Sequence, residues 1–147
     1  MRQRRIIPVL VCVIGLLTPC VAHHMAVVVD KNNKVQNVTS AHLAKIFKGE
    51  VKKWADGTSV VLVLHGASPD ERGTLARLTK MTDAELRAMF AQHKDVIRTV
   101  ASDAEVIEAV ASTAGAIGLV EEHSITDRVS VIKVDGKLPM ESGYLPH

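Results

Sequence analysis

The sequence predicts an α/β domain in which helices cover a central sheet. Short apolar segments alternate with segments of helical periodicity, which is typical of layered α/β domains. Residues 60–64 are five consecutive apolar residues, as expected for a strand that is buried on both faces. Residues 82–92 have the pattern of a helix that begins with a capping box of Thr82 and Glu85. The length of 147 residues suits one domain.

The other elements are predicted from turn residues, caps and apolar periodicity. Strands are expected at residues 26–29, 60–64, 116–120 and 129–134, with an extended segment at 35–38. Helices are expected after Thr39 or Ser40, from a start between Pro69 and Gly73 to about residue 79, at 82–92, and after Ser102, which forms a second capping box with Glu105. The large side chains expected in the core are Ile46, Phe47, Trp54, Leu86, Phe90 and Ile117.

The N-terminus has the pattern of a secretory signal peptide, residues 1–22. Three arginines precede an apolar run at residues 6–17, and small residues lead to Ala22. We therefore predict cleavage after Ala22, which leaves a single domain of residues 23–147 in the periplasm. The apolar run is short for a spanning helix, but an uncleaved anchor stays open as an alternative. A lipoprotein signal at Cys20 is another alternative.

Composition excludes several classes of function for the mature domain. Both cysteines, Cys12 and Cys20, lie in the signal segment, so the mature chain has no thiol for a disulfide, metal or redox site. The net charge of +2 includes three arginines of that segment, so the mature domain is not basic. Aromatic residues make up only 3% of the chain. These properties argue against a nucleic-acid partner, and no pattern indicates a cofactor.

The lead candidate for a binding site is the segment of residues 68–74, in the connection that follows the buried strand. A helix start offers backbone N–H groups that attract anions. The hydroxyl groups of Ser68 and Thr74 and the guanidinium group of Arg72 are further candidate donors, and Gly73 lies between them. The simpler alternative is that Ser68 only caps a helix and Arg72 is a surface charge. The acidic pair of Asp70 and Glu71 would repel an incoming anion.

The residues suggest two other kinds of site. Ser68 after a strand suggests a hydrolase nucleophile, but Asp70 stands where that motif needs its last glycine. We therefore expect no enzyme activity. A terminus of His23, His24 and Met25 could bind copper, although a solvated terminus is the simpler expectation.

Several motifs, taken in order, resemble those of the periplasmic phosphate-binding proteins, the solute receptors of phosphate importers. The family has Ile-Phe-x-Gly at a helix end, then a tryptophan, an apolar strand and Ser-Gly-Thr at a helix start, and later a Gly-Ala-Ile-Gly-Tyr strand. The matching segments here are residues 46–49, Trp54, residues 60–64, residues 72–74 and residues 115–119. Arg72 stands in place of the family's serine, and Leu119 in place of an aromatic residue.

The resemblance implies one lobe of a type II periplasmic binding protein, with a central mixed sheet flanked by helices. It also implies a ligand such as phosphate or a similar small oxyanion at Ser68, Arg72, Gly73 and Thr74. A membrane permease or a second copy of the chain would be the protein partner. A non-transport interaction module, which keeps the fold without binding a ligand, is the alternative function. The chain is too short for the two lobes that enclose a ligand in full receptors.

Overall fold

The computed structural model describes residues 24–146, which form seven strands and four α-helices. The strands are β1 (Met25–Asp30), β2 (Asn37–Val38), β3 (Val61–His65), β4 (Ile97–Val100), β5 (Ala116–Glu121), β6 (Val129–Val131) and β7 (Lys133–Val134). The helices are α1 (Ser40–Phe47), α2 (Pro69–Thr79), α3 (Asp83–Gln92) and α4 (Asp103–Ser112). A single 3₁₀ turn, Glu122–Ser124, follows β5. Within residues 24–146, no helix is long and apolar enough to cross a membrane.

Five strands form the central mixed sheet in the order β4-β3-β5-β1-β6. Strand β3 runs parallel to β4 and β5, whereas β1 is antiparallel to β5 and β6. Strands β2 and β7 form a separate parallel pair. One face of the sheet packs with α1, α2 and α3, and the other packs with α4. This arrangement confirms the predicted α/β fold with a central mixed sheet flanked by helices.

The predicted core is confirmed except for one side chain. Ile46, Phe47, Leu86 and Ile117 are almost fully buried, and Trp54 is buried as well. Phe90 is only half-buried, so the prediction that it is largely buried is wrong. In helix α3, the buried side chains are those of Leu86 and Met89. The side chain of Phe90 is partly exposed and packs against the edge of the core.

The motif at residues 115–119 has a clear structural basis. Gly115 has a φ of +77°, which favours glycine, and its carbonyl oxygen accepts a hydrogen bond from Trp54 Nε1 at 2.9 Å. A Cβ atom at Gly115 would lie 2.1 Å from the carbonyl oxygen of Ser59. The same glycine donates its N–H to Asp30 Oδ2 at 3.1 Å. Gly115 therefore joins the tryptophan turn and the start of β5 to the end of β1.

Several elements differ from the prediction. Strand β4 was not expected, and the strand predicted at residues 129–134 divides in two at Ile132. The N–H of Ile132 donates to the carbonyl oxygen of Val27, after which β7 leaves the sheet to pair with β2. The second capping box is incomplete, because Glu105 accepts from the N–H of Ala101 and not from that of the cap residue Ser102.

The C-terminal segment, residues 138–146, packs onto the domain although no element was predicted there. Tyr144 is buried, and its hydroxyl group accepts the N–H of Val27 at 3.1 Å and donates to the carbonyl oxygen of Ile132 at 2.7 Å. Burial raises the pKa of this phenol to about 12, so it stays neutral at physiological pH. Tyr144 thus fixes the C-terminal segment to β1.

Candidate functional site

The candidate site lies where β3 ends and α2 begins. Ser68 is the N-cap of α2, and its Oγ accepts the N–H of Glu71 at 3.2 Å. Pro69 is the first helical residue, where its missing N–H costs nothing. The helix therefore begins at the first residue of the predicted range. In open α/β sheets, ligands bind outside the carboxyl ends of the strands, and this helix start lies at that edge.

The four predicted site residues occupy different positions along α2. Ser68 is buried at the cap, while Arg72 is half-buried and its N–H already donates to the carbonyl oxygen of Ser68 at 3.1 Å. Gly73 and Thr74 come later in the helix, beyond the first turn whose N–H groups lack helical partners. Residues 72–74 therefore lie inside the helix and not in a loop before it. Ser68 and Arg72 flank the helix start, whereas Gly73 and Thr74 do not.

Gly73 and Thr74 have roles within the helix. A Cβ atom at Gly73 would lie 3.4 Å from both terminal nitrogens of Arg77, so the glycine leaves room for this guanidinium group. Thr74 is buried and shares the inward face of α2 with Glu71 and Leu75. These contacts account for both residues without a ligand.

The burial of Glu71 is the feature of this site that the sequence did not reveal. Its side chain is fully buried, and its Oε2 accepts the N–H of His65 at 2.9 Å. Its Oε1 has no hydrogen-bond partner among the described residues. The carboxyl group therefore lies between the end of β3 and the start of α2, the region where the sequence predicted an anion. An acidic residue in a first helical turn usually indicates a helix start, so its residue type did not indicate its burial.

Burial raises the pKa of Glu71 to about 8, because the ionised carboxylate loses its hydration. The hydrogen bond from His65 acts in the opposite direction, and the negative charge of Asp103 adds to the increase. Glu71 is therefore mostly protonated at neutral pH. In that state it brings no negative charge to the helix start, and its OH group is a hydrogen-bond donor.

A second helix start meets the same edge of the sheet. Asp103 is the first residue of α4, and its Oδ1 lies 3.1 Å from His65 Nδ1. Its Oδ2 accepts the N–H of Glu121 at 2.8 Å, which ties α4 to the end of β5. The ends of β3 and β5 and the starts of α2 and α4 thus converge on one cluster of polar groups.

The electrostatics of this edge suit a small anion only in part. Two helix N-termini give a positive field, which stabilises negative charge near them. Arg72 adds a cation at α2, but the carboxylate of Asp103 already balances the field of α4. Asp70 lies in the first turn of α2 and offsets that field in part, so an anion at this edge depends on the added cation, Arg72.

Other candidate chemistries find less support in this geometry. The Ser68 hydroxyl is buried and engaged as a cap, unlike an exposed nucleophile. His23 of the possible copper motif lies outside the described residues. Among residues 24–146, no group of three or more His, Cys, Asp or Glu side chains is placed to hold a metal ion.

Comparisons with solved structures identify the fold. An ABC-type phosphate transport receptor from Vibrio cholerae matches 80% of this chain with a TM-score of 0.63 and 20% identity, over 48% of its own length. PstS from Borrelia burgdorferi matches 80% with a TM-score of 0.63 and 22% identity, over 49% of its length. A phosphate binding protein from Stenotrophomonas maltophilia matches 80% with a TM-score of 0.56 and 18% identity, over 40% of its length. The chain thus spans about half the length of these receptors or less.

The comparison with curated proteins found no match. A family model described as a PBP superfamily domain matches residues 16–137, which is most of the sequence. The order of strands and helices agrees with that match, and the expected resemblance to phosphate-binding proteins of ABC transporters is confirmed at the level of the fold. The chain therefore belongs to the PBP superfamily.

Proposed function

We propose that this chain is an exported solute-binding domain that takes phosphate or a similar small oxyanion at the start of α2. The observation that carries this proposal is the position of α2, whose N-terminus lies at the carboxyl edge of the sheet in a fold shared with phosphate receptors. A helix start offers backbone donors and a positive field to an anion. The finding that relatives are binding proteins also favours binding over catalysis.

Ser68 and Arg72 are the side chains that we assign to the ligand. Arg72 offers a fork of N–H donors that fits two oxygens of a tetrahedral anion, and its half-buried position limits the cost of ordering it. Protonated Glu71 adds no negative charge to the helix start near neutral pH, which leaves Asp70 as the acidic residue of the first turn beside Arg72. We place Gly73 and Thr74 in support of this geometry, because both lie deeper in α2.

A single lobe contacts only part of a ligand. The chain spans about half of the receptors that it resembles, so a bound anion would stay partly exposed to water. We therefore propose weak binding by the isolated domain. A second copy of the chain, or a membrane permease, would complete the enclosure.

Phosphate and sulfate should each raise the melting temperature of the mature domain, because a ligand that binds only the native state stabilises it. Arg72→Ala should abolish this increase and leave the melting temperature without anion nearly unchanged. Differential scanning fluorimetry across millimolar anion concentrations at constant ionic strength gives both values.

Lys94→Ala is the matched control, since it removes one exposed cation far from α2 along the chain. It should keep the full response to anion. Ser68→Ala should lower the stability without anion by about 1 kcal/mol, as expected for a lost cap. An absence of any anion response in the wild-type domain would contradict the proposal for these anions.

The second candidate function is a non-transport interaction module. The burial of Glu71 favours this interaction module. The carboxyl group already accepts the N–H of His65, a donor that would otherwise face the helix start. A domain of this kind would keep the fold and show no response to phosphate or sulfate. The melting experiment therefore separates the two candidates.

We also propose that export removes residues 1–22. Mass spectrometry of periplasmic material should then give a chain that begins at His23, as the small residues before it predict. Recovery of the full-length mass from the inner membrane would support the anchor instead.

A further inference from the structure

A groove among the described residues lies at the opposite end of α2 from the candidate oxyanion site. It runs along α1, from Ser40 to the C-cap residue Lys48, and between the end of α2 and the C-terminal segment, and has a volume of about 630 Å³. Helix α2 has 11 residues, which separates its two ends by about 15 Å at 1.5 Å per residue. The groove is therefore a separate surface, which we call the α1–α2 groove.

Cations dominate the α1–α2 groove. Lys48, Arg77 and Lys80 line it, against one carboxylate, Asp135. Asp135 Oδ1 accepts the N–H of Ser40 at 3.1 Å and so acts as a partner of the α1 start. None of the three cations forms an ion pair within residues 24–146. Three cations against one carboxylate leave an excess of positive charge, which suits an anionic occupant.

One of these cations is held in place by the fold. Arg77 Nε donates to the carbonyl oxygen of Pro146 at 3.3 Å, and its guanidinium group lies over Gly73. Its two terminal nitrogens keep their N–H groups for a further acceptor. An arginine that is already ordered loses less side-chain entropy when it binds a carboxylate.

Apolar side chains line the same groove between the charged groups. Tyr144, Leu145 and Leu78 are buried there, and Ala44 contributes from α1. The hydrogen bonds of Tyr144 to β1 and to Ile132 fix this wall. The groove thus combines an excess of cations with an apolar wall.

We propose that the α1–α2 groove docks an acidic peptide segment of a partner protein. Its carboxylates would pair with Lys48, Arg77 and Lys80, and an apolar side chain would contact Tyr144 and Leu145. The volume is in the range of sites that hold several side chains and greatly exceeds the need of one phosphate. A comparable groove of about 460 Å³ around Lys48 carries two acidic residues, Glu50 and Glu85, and lacks this charge preference.

Fluorescence anisotropy with a labelled peptide that alternates Glu and Leu tests the proposal. The wild-type domain should bind this peptide more tightly than a peptide that alternates Lys and Leu. Arg77→Glu combined with Lys80→Glu should weaken binding of the acidic peptide at least tenfold. Arg77→Gln combined with Lys80→Gln should also weaken binding of the acidic peptide. This neutral pair tests the proposal if the charge reversal impairs folding.

The matched control is Lys31→Glu with Lys94→Glu, which makes the same change in net charge at exposed positions outside the groove. It should bind nearly as the wild type does, as should Arg72→Ala at the other end of α2. Equal loss in the control pair would show a general charge effect and overturn the proposal. The proposal would also be overturned if the wild-type domain did not bind the acidic peptide, or if citrate bound in the groove and the peptide did not.

Discussion

The free energy of unfolding should fall as the pH rises from about 4.5 to about 8, and Glu71→Gln should remove most of this fall. Glu71 has an ordinary pKa of 4.5 when unfolded, whereas burial raises its pKa to about 8 in the fold. Below the lower value, both states are protonated and the carboxyl group has no effect on stability. Between the two values, the unfolded state releases a proton that the folded state keeps, so unfolding becomes easier.

The effect should be among the largest in this domain. Each unit of difference in pKa corresponds to about 1.4 kcal/mol, so the full shift represents roughly 3–5 kcal/mol. Above pH 8 the loss levels off, because Glu71 ionises in both states. Glutamine keeps an oxygen for the N–H of His65 but has no proton to release.

Urea titrations of the wild type and of Glu71→Gln at intervals from pH 5 to 9 measure this difference. The other titratable groups are common to both proteins, so the difference between the two curves isolates Glu71. Glu50→Gln, which removes an exposed carboxylate, should leave the slope of the wild type nearly unchanged. Parallel curves for the wild type and Glu71→Gln would mean that Glu71 is ionised in the fold.

Gly115→Ala should destabilise the domain by about 3 kcal/mol or more. The added Cβ atom would lie 2.1 Å from the carbonyl oxygen of Ser59 and 2.8 Å from the Thr58 methyl carbon, so the backbone must shift. The φ of +77° adds strain for any residue other than glycine. The shift would also disturb the hydrogen bond from Trp54 to this residue.

Gly136→Ala separates the two causes. Gly136 has a φ of +76°, nearly the same as Gly115, but a Cβ atom there would meet nothing within 4 Å. This variant should cost only about 1 kcal/mol, from backbone strain alone. Chemical denaturation of both variants measures the difference. Similar losses for the two variants would show that contact with Ser59 is unimportant.

The sequence predicted the parts of the fold that depend on local pattern. The strand of residues 60–64 was recognisable from its continuous apolar run, and α3 from Thr82 and Glu85, whose capping box is present. Strand β4 lies at the sheet edge, where two of its four residues are exposed, so its pattern was weak. The break at Ile132 depends on pairing with β1, which no local signal reveals.

The candidate site was predicted only in its location. The cap at Ser68 follows from residue type, but the burial of Glu71 depends on how α2 packs against β3 and α4. The same tertiary packing places Gly73 and Thr74 inside the helix. A comparison of motifs alone would instead place them at the helix start. The α1–α2 groove involves Tyr144 and Leu145 of a segment in which no element was predicted, so it could not be found from sequence.

A titration of the ¹⁵N-labelled mature domain with phosphate, followed by ¹H–¹⁵N NMR, tests the oxyanion site most directly. The proposed function predicts saturable shifts of amide signals at Ser68, Asp70 and Arg72, with smaller changes near Lys48 and Lys80. Arg72→Ala should remove the saturable shifts and keep the dispersed spectrum of a folded domain. Unchanged amide signals around Ser68 at millimolar phosphate, or shifts confined to the α1–α2 groove, would contradict an oxyanion site at the start of α2.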